Sequence, residues 1–167
     1  RMDPNRSWDQ MTWNYWRPWL EHWGHLIEFV EEPFLPATKP AEVLQAASVS
    51  PVPLALDESL SERGIEFWAK LGWPGYWVIK PSLCGDPTSW LSNKAIRKER
   101  VVLSSVFETG IGLSSLVTLA QAFPQTDHGL GTQAWFTDTW RAPELNGRLY
   151  AMANREQQQL WNSLPTA

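Results

Sequence analysis

The sequence predicts an α/β protein organised as part of a (β/α) barrel, and three observations carry that prediction. Residues with chemical potential stand at Asp3, Glu31, Asp57, Lys80, Ser104 and Gly129, separated by 28, 26, 23, 24 and 25 positions (31−3, 57−31, 80−57, 104−80, 129−104). That is the length of one strand, one helix and two loops. Each closes a short apolar run, as barrel strands close on the rim that carries the active site. Between the runs lie helical patterns, and this alternation argues for a parallel sheet with helices outside it.

The elements follow in chain order. Trp13, Trp16, Trp19 and Trp23 are spaced three, three and four residues apart, helical offsets that predict a helix with a packed aromatic face. His22 and His25 lie in the same stretch and are read as solvated or packed side chains rather than metal ligands. LIEFV (26 to 30) reads as a buried strand ending at Glu31-Glu32-Pro33, where proline stops the ladder. AEVLQAAS (41 to 48) reads as a helix, and PVPLAL (51 to 56) as a strand leading to Asp57.

SERGIEFWAKLG (61 to 72) has apolar residues at helical spacing and Gly72 as its stop. YWVI (76 to 79) is a strand entering Lys80-Pro81, a helix is expected within 87 to 98, and VVL (101 to 103) is a strand entering Ser104-Ser105. GLSSLVTLAQAF (112 to 123) predicts a helix preceded by a flexible Gly110-Ile111-Gly112 turn. A strand-like element then ends near His128-Gly129, which makes six strand ends, and a polar helix is expected over about 148 to 162 as a flank. No low-complexity tract or internal domain boundary appears in the sequence.

Composition narrows the function classes. At 43% apolar and 19% charged residues the chain has an ordinary globular composition, and its net charge of −4 leaves no basic face for nucleic acid or an anionic membrane. No apolar run approaches the roughly 18 residues that span a bilayer. The single cysteine, Cys84, cannot form an internal disulfide. A soluble, cytoplasmic protein is therefore expected. At 167 residues the chain is shorter than the roughly 250 of a complete barrel, so a fragment lacking an amino-terminal part is expected.

Asp3, Glu31 and Asp57, on successive strand ends, converge on one rim if the barrel is correct. Three hard oxygen ligands suit Mg²⁺, which takes its remaining ligands from water or substrate. A divalent cation also removes the repulsion among three carboxylates. Taken singly, each acid reads as an exposed loop residue or a helix cap, as Asp57 before SLSE does; it is the three in register, followed by a lysine in register, that favour the metal. Lys80 is expected beside the metal, where a neighbouring cation brings an ammonium toward the range of proton transfer.

The motifs RMDPNRSW, FVEEP, ALDESL, WVIKPSLCG, VLSSVFETGIG and HGLGTQ, in that order from Arg1 to about Gln133, resemble the o-succinylbenzoate synthase family. That family belongs to the muconate-lactonising subgroup of the enolase superfamily. The resemblance implies that Asp3, Glu31 and Asp57 end the third, fourth and fifth strands of an enolase-superfamily barrel and bind Mg²⁺. It implies that Lys80, on the sixth strand, stabilises an enediolate, and that Ser104 and Gly129, on the seventh and eighth, hold a substrate carboxylate. Asn5, Glu58 and Glu108 stand in the same motifs without an assigned role.

The implied reaction is the Mg²⁺-dependent dehydration of 2-succinyl-6-hydroxy-2,4-cyclohexadiene-1-carboxylate to o-succinylbenzoate, a step toward menaquinone or phylloquinone. The family's general base is a lysine in a K-x-K motif on the second strand. Lys39, Lys70, Lys94 and Lys98 all fall in loops or helices, so no lysine here takes that place. The first two strands and the amino-terminal capping region are implied as missing partners, and little activity is expected of the chain alone. An N-succinylamino acid racemase, a dipeptide epimerase and a non-catalytic barrel fragment remain open at this point.

Overall fold

A computed structural model of the chain describes residues 1–137 and 140–163. It divides into two compact units, Arg1–Ile79 with Asp86–Val101 and Lys80–Gly85 with the chain from Val102 onward.

The first unit is a parallel sheet with helices between its strands. Helix α1 (Gln10–Trp23) starts at Asp9, whose carboxylate accepts the Thr12 N–H at 2.7 Å and satisfies one of the open donors of the first turn. Strand β1 (Val30–Glu31) leads to α2 (Pro40–Val49), where proline opens the helix and the Glu42 carboxylate reaches back to the Lys39 N–H. Strand β2 (Leu54–Leu56) is followed by α3 (Glu58–Arg63) and α4 (Ile65–Lys70), then by β3 (Tyr76–Ile79) and the short α5 (Pro87–Leu91).

Register within this sheet is parallel throughout. Val30 pairs with Leu54, Glu31 with Ala55, Ala55 with Tyr76 and Leu56 with Trp77. Met2 makes an isolated parallel bridge to Val30 on the other side of β1. β2 is buried at every position, as a strand covered on both faces must be. Trp68, Trp77 and Phe29 are among the largest fully buried side chains of this unit.

Strand β4 (Val101–Leu103) is buried throughout, and from Val102 the chain belongs to the second unit and leads to α6 (Gly110–Ala120). A two-stranded antiparallel ribbon, β5 (Glu144–Leu145) with β6 (Arg148–Leu149), precedes α7 (Asn154–Asn162), which packs on α6. The Ser114 hydroxyl, on α6, accepts the Met152 N–H at 2.8 Å and ties down the entry to α7.

Several elements differ from expectation for identifiable reasons. The strand expected over 26 to 30 is only Val30–Glu31, because Gly24–Leu26 form a single tight helical turn closed by the Ile27 N–H on the Gly24 carbonyl. Pro51 and Pro53 cannot donate to a ladder, so β2 begins at Leu54. The helix expected over 61 to 72 is split at Gly64, whose φ of +85° is open to glycine and strained for other residues. Gly110-Ile111-Gly112 is the first turn of α6 and not a flexible lead-in. A Cβ at Gly110 would lie 2.7 Å from the Arg141 backbone, so glycine is there for close approach.

The helix expected within 87 to 98 is limited to α5. The aromatic face of α1 is buried at Trp13, while Trp19 and Trp23 stay exposed. His22 and His25 are exposed and contact the Trp23 ring, as their solvated or packed reading requires. Among the described residues no helix is long and apolar enough to cross a membrane.

Candidate functional site

Three acids of the first unit stand at neighbouring places along the sheet: Glu31 closes β1, Asp57 follows β2, and Asp3 follows the Met2 bridge to β1. Met2, Val30 and Leu54 are aligned across the sheet, so Asp3, Glu31 and Ala55 form the next row, and Asp57 stands two residues beyond Ala55. Paired residues share a face and alternate residues return to it, which puts Asp3, Glu31 and Asp57 on one face. Asp3 is exposed, Glu31 half-buried and Asp57 buried.

Each position is held locally. The Asn5 backbone N–H and side-chain amide donate to the two oxygens of Asp3, at 2.8 and 3.3 Å. This turn needs left-handed backbone at Asn5 and Arg6, with φ of 52° and 58°. The Glu31 N–H donates to the Met2 carbonyl at 2.8 Å. Asp57 precedes α3 but its side chain makes no capping bond, contrary to its reading as a helix cap.

The cap comes from Glu32 instead. Its carboxylate accepts the Asp57 and Ser59 N–H groups, each at 2.9 Å, and the Ser59 hydroxyl at 3.0 Å. Glu32 is 5% exposed, and burial pushes its carboxyl above the ordinary range, opposed by those three hydrogen bonds and the Arg6 charge. Arg6 itself forms a two-pronged ion pair with Glu62, one arm at 2.9 Å. That bond raises the Arg6 pKa further and holds the Glu62 carboxyl below its usual range.

Among the described residues, no three His, Cys, Asp or Glu side chains gather closely enough to enclose a metal ion. The donor set of Asp3, Glu31 and Asp57 nonetheless fits Mg²⁺ in kind: three carboxylates, no soft ligand, and one shared face.

Lys80, Ser104 and Gly129 lie in the second unit. Lys80 is half-buried, and its carbonyl accepts the Leu83 N–H at 2.8 Å where the chain turns through Pro81–Leu83. The Ser82 hydroxyl of that turn donates to Glu108 at 2.7 Å, and the other oxygen of Glu108 accepts the Val106 N–H at 2.7 Å. Ser104 and Gly129 are brought together in a single parallel bridge. Ser105, directly after Ser104, is buried and hydrogen-bonded to the Gly129 carbonyl and the Thr132 hydroxyl. His128 accepts the Leu103 N–H through Nδ1 at 3.1 Å.

Glu32, Arg6, Ser105 and His128 were not identified from the sequence. Only the doubled acid of Glu31-Glu32 offered a signal, since alternation sends consecutive side chains to opposite sides of a strand.

Parallel strands in this order, with acids at their ends, place the chain in the fold class shared with a mandelate racemase/muconate lactonizing protein from Herpetosiphon aurantiacus. Its TM-score is 0.65 at 20% identity, over 81% of this chain and 40% of that one. At that identity the likeness is one of fold alone, parallel strands joined by helices. A nearer structural relative is an o-succinylbenzoate synthase from Thermosynechococcus elongatus, solved with Mg in its active site. Its TM-score is 0.76 at 32% identity, covering 97% of this chain and 49% of that one.

In sequence, the chain is 36% identical to an o-succinylbenzoate synthase of Thermosynechococcus vestitus over 98% of its own length and 49% of the relative's. It is 35% identical to one of Pasteurella multocida, over 79% of itself and 41% of the relative. No family model matches the chain. By sequence and fold together the chain is a relative of the o-succinylbenzoate synthases. It spans about half the length of the curated relatives it matches.

Proposed function

We propose that the chain carries the metal-binding and carboxylate-binding parts of an o-succinylbenzoate synthase site. The observation that supports this most directly is the placement of Asp3, Glu31 and Asp57 on one face of neighbouring parallel strands. These three would hold Mg²⁺, which supplies positive charge beside the substrate carboxylate, where negative charge develops.

In the reaction proposed, the ring carbon bearing the carboxylate loses its proton and the electron pair passes into the carboxylate as an enediolate. The pair then returns to the ring as the neighbouring C–O bond breaks and the departing hydroxide takes up the abstracted proton, leaving an aromatic product and water. Lys80 places an ammonium against the enediolate. Ser104 offers its hydroxyl to the substrate carboxylate, and Gly129, exposed and without a side chain, leaves room for it there. The step leads toward menaquinone or phylloquinone. Proton removal is assigned to a lysine outside these 167 residues, so the isolated chain turns over little substrate.

The test joins this chain to the amino-terminal half of the Thermosynechococcus elongatus relative and follows the absorbance of the aromatic product. Mg²⁺-dependent dehydration that disappears with Lys80→Ala supports the proposal. Racemisation of N-succinylamino acids in place of dehydration overturns it in favour of a racemase.

A further inference from the structure

We propose that Glu32 is the positioning residue that sets the three acid-bearing strand ends against one another, an inference that rests on their reading as a Mg²⁺ site. Glu32 touches each of the three segments. Through the chain it is continuous with Glu31. Its carbonyl accepts the Arg6 N–H at 2.7 Å and so fixes the turn that follows Asp3. Its carboxylate takes the N–H of Asp57 itself and both donors of Ser59, and its own N–H donates to the Ala55 carbonyl at 3.0 Å. One residue thus contacts the backbone on both sides of β1.

Two features work against this arrangement and make it informative. Glu32 is buried, although a carboxylate is more easily kept in water. Its φ is +35°, outside the range a non-glycine residue prefers. With that backbone, its side chain reaches the start of α3. Burial and an unfavourable dihedral persist together where the surrounding contacts hold them, and here those contacts converge on the segment carrying Asp57. A helix cap alone requires neither, because Ser, Thr, Asp or Asn at the position of Asp57 caps from the chain itself.

Groups that orient metal ligands without touching the metal typically change affinity by about 10- to 100-fold when removed. The experiment compares the full chain with Glu32→Met, which keeps the volume and loses the acceptors, and with Glu32→Gln, which keeps an acceptor for the two N–H groups. Amide hydrogen exchange at Asp57 and Ser59 is read first, then Mg²⁺ titration followed by tryptophan fluorescence. Glu32→Met is expected to speed exchange at both amides and to weaken Mg²⁺ binding by about 10-fold or more, with Glu32→Gln recovering most of both.

A Glu32→Met chain that stays folded and binds Mg²⁺ like the parent overturns the inference, because a purely structural role lowers the melting temperature and leaves affinity alone. If Glu32→Met does not fold, Ser59→Ala decides: a measurable loss of affinity supports the inference, and unchanged affinity overturns it. Absence of Mg²⁺ binding by the parent chain is a different failure. It removes the metal-site reading, and with it the inference, even where the exchange data show Glu32 gripping Asp57.

Discussion

Ser104 and Gly129 face each other across a single parallel bridge: the Gly129 N–H donates to the Leu103 carbonyl at 2.8 Å, and the Gly129 carbonyl accepts the Ser105 N–H at 3.0 Å. Residues 25 apart in the chain thereby present a hydroxyl and an uncovered stretch of backbone side by side. A Cβ built on Gly129 would lie 3.5 Å from the Ser104 Oγ, an ordinary contact. Gly129→Ala is therefore expected to change stability by less than about 0.5 kcal/mol. In the chimera described above it should weaken substrate binding through the carboxylate, seen as a raised KM. A large loss of stability with unchanged KM would contradict the assignment.

Removing one proposed ligand should uncouple Mg²⁺ from stability. At one hundred times its dissociation constant, Mg²⁺ is expected to stabilise the parent chain by about 2.7 kcal/mol. Asp57→Asn, nearly identical in shape, should abolish that increment. Thermal unfolding with and without Mg²⁺ measures it, and equal increments for both chains would remove Asp57 from the metal site.

Gly75 precedes β3 where the chain passes close to β2. A Cβ there would run into the Leu54 carbonyl and stand 2.9 Å from the Trp73 ring. Gly75→Ala is expected to cost about 1–3 kcal/mol, as other overpacked sites do. The urea midpoint should fall at constant slope. An unchanged midpoint would mean that the approach of the two strands is looser than described.

The Arg6–Glu62 pair predicts a modest acid sensitivity. Because Arg6 holds the Glu62 carboxyl below its unfolded value, the pair stabilises the chain above that unfolded value. The contribution disappears as pH falls through the lower, folded one. Both partners reach solvent, so the contribution is expected to be at most about 1 kcal/mol. Comparing the parent with Glu62→Gln by urea denaturation, the stability difference should shrink from pH 7 toward pH 3. A difference that stays constant over that range would assign it to packing.

Much of this was legible in the sequence. YWVI is a strand at the residues its apolar, β-branched and aromatic composition indicates, and VVL likewise. The positions of Glu31, Asp57, Lys80 and Ser104 at strand ends followed from their spacing and from the apolar runs they close. What period could not show was the effect of single residues: Gly64 breaks a continuous helical pattern by adopting a left-handed φ, and Pro51 and Pro53 delay β2 by lacking donors. The length of β1 was also hidden, since a two-residue strand is defined by its partners.

By itself the sequence determined the alternation of strand and helix, the interval between chemically active residues, and the acidic character of the proposed metal ligands. These are local properties, expressed within a few residues by propensity and periodicity. Tertiary structure alone decided that Glu32 and not Asp57 caps α3, and that Ser104 meets Gly129. A buried carboxylate is tolerable only where donors reach it, and the donors to Glu32 come from residues 25 and 27 positions further along. No reading of residue type or spacing specifies which strands bring those donors close; that is settled when the sheet assembles.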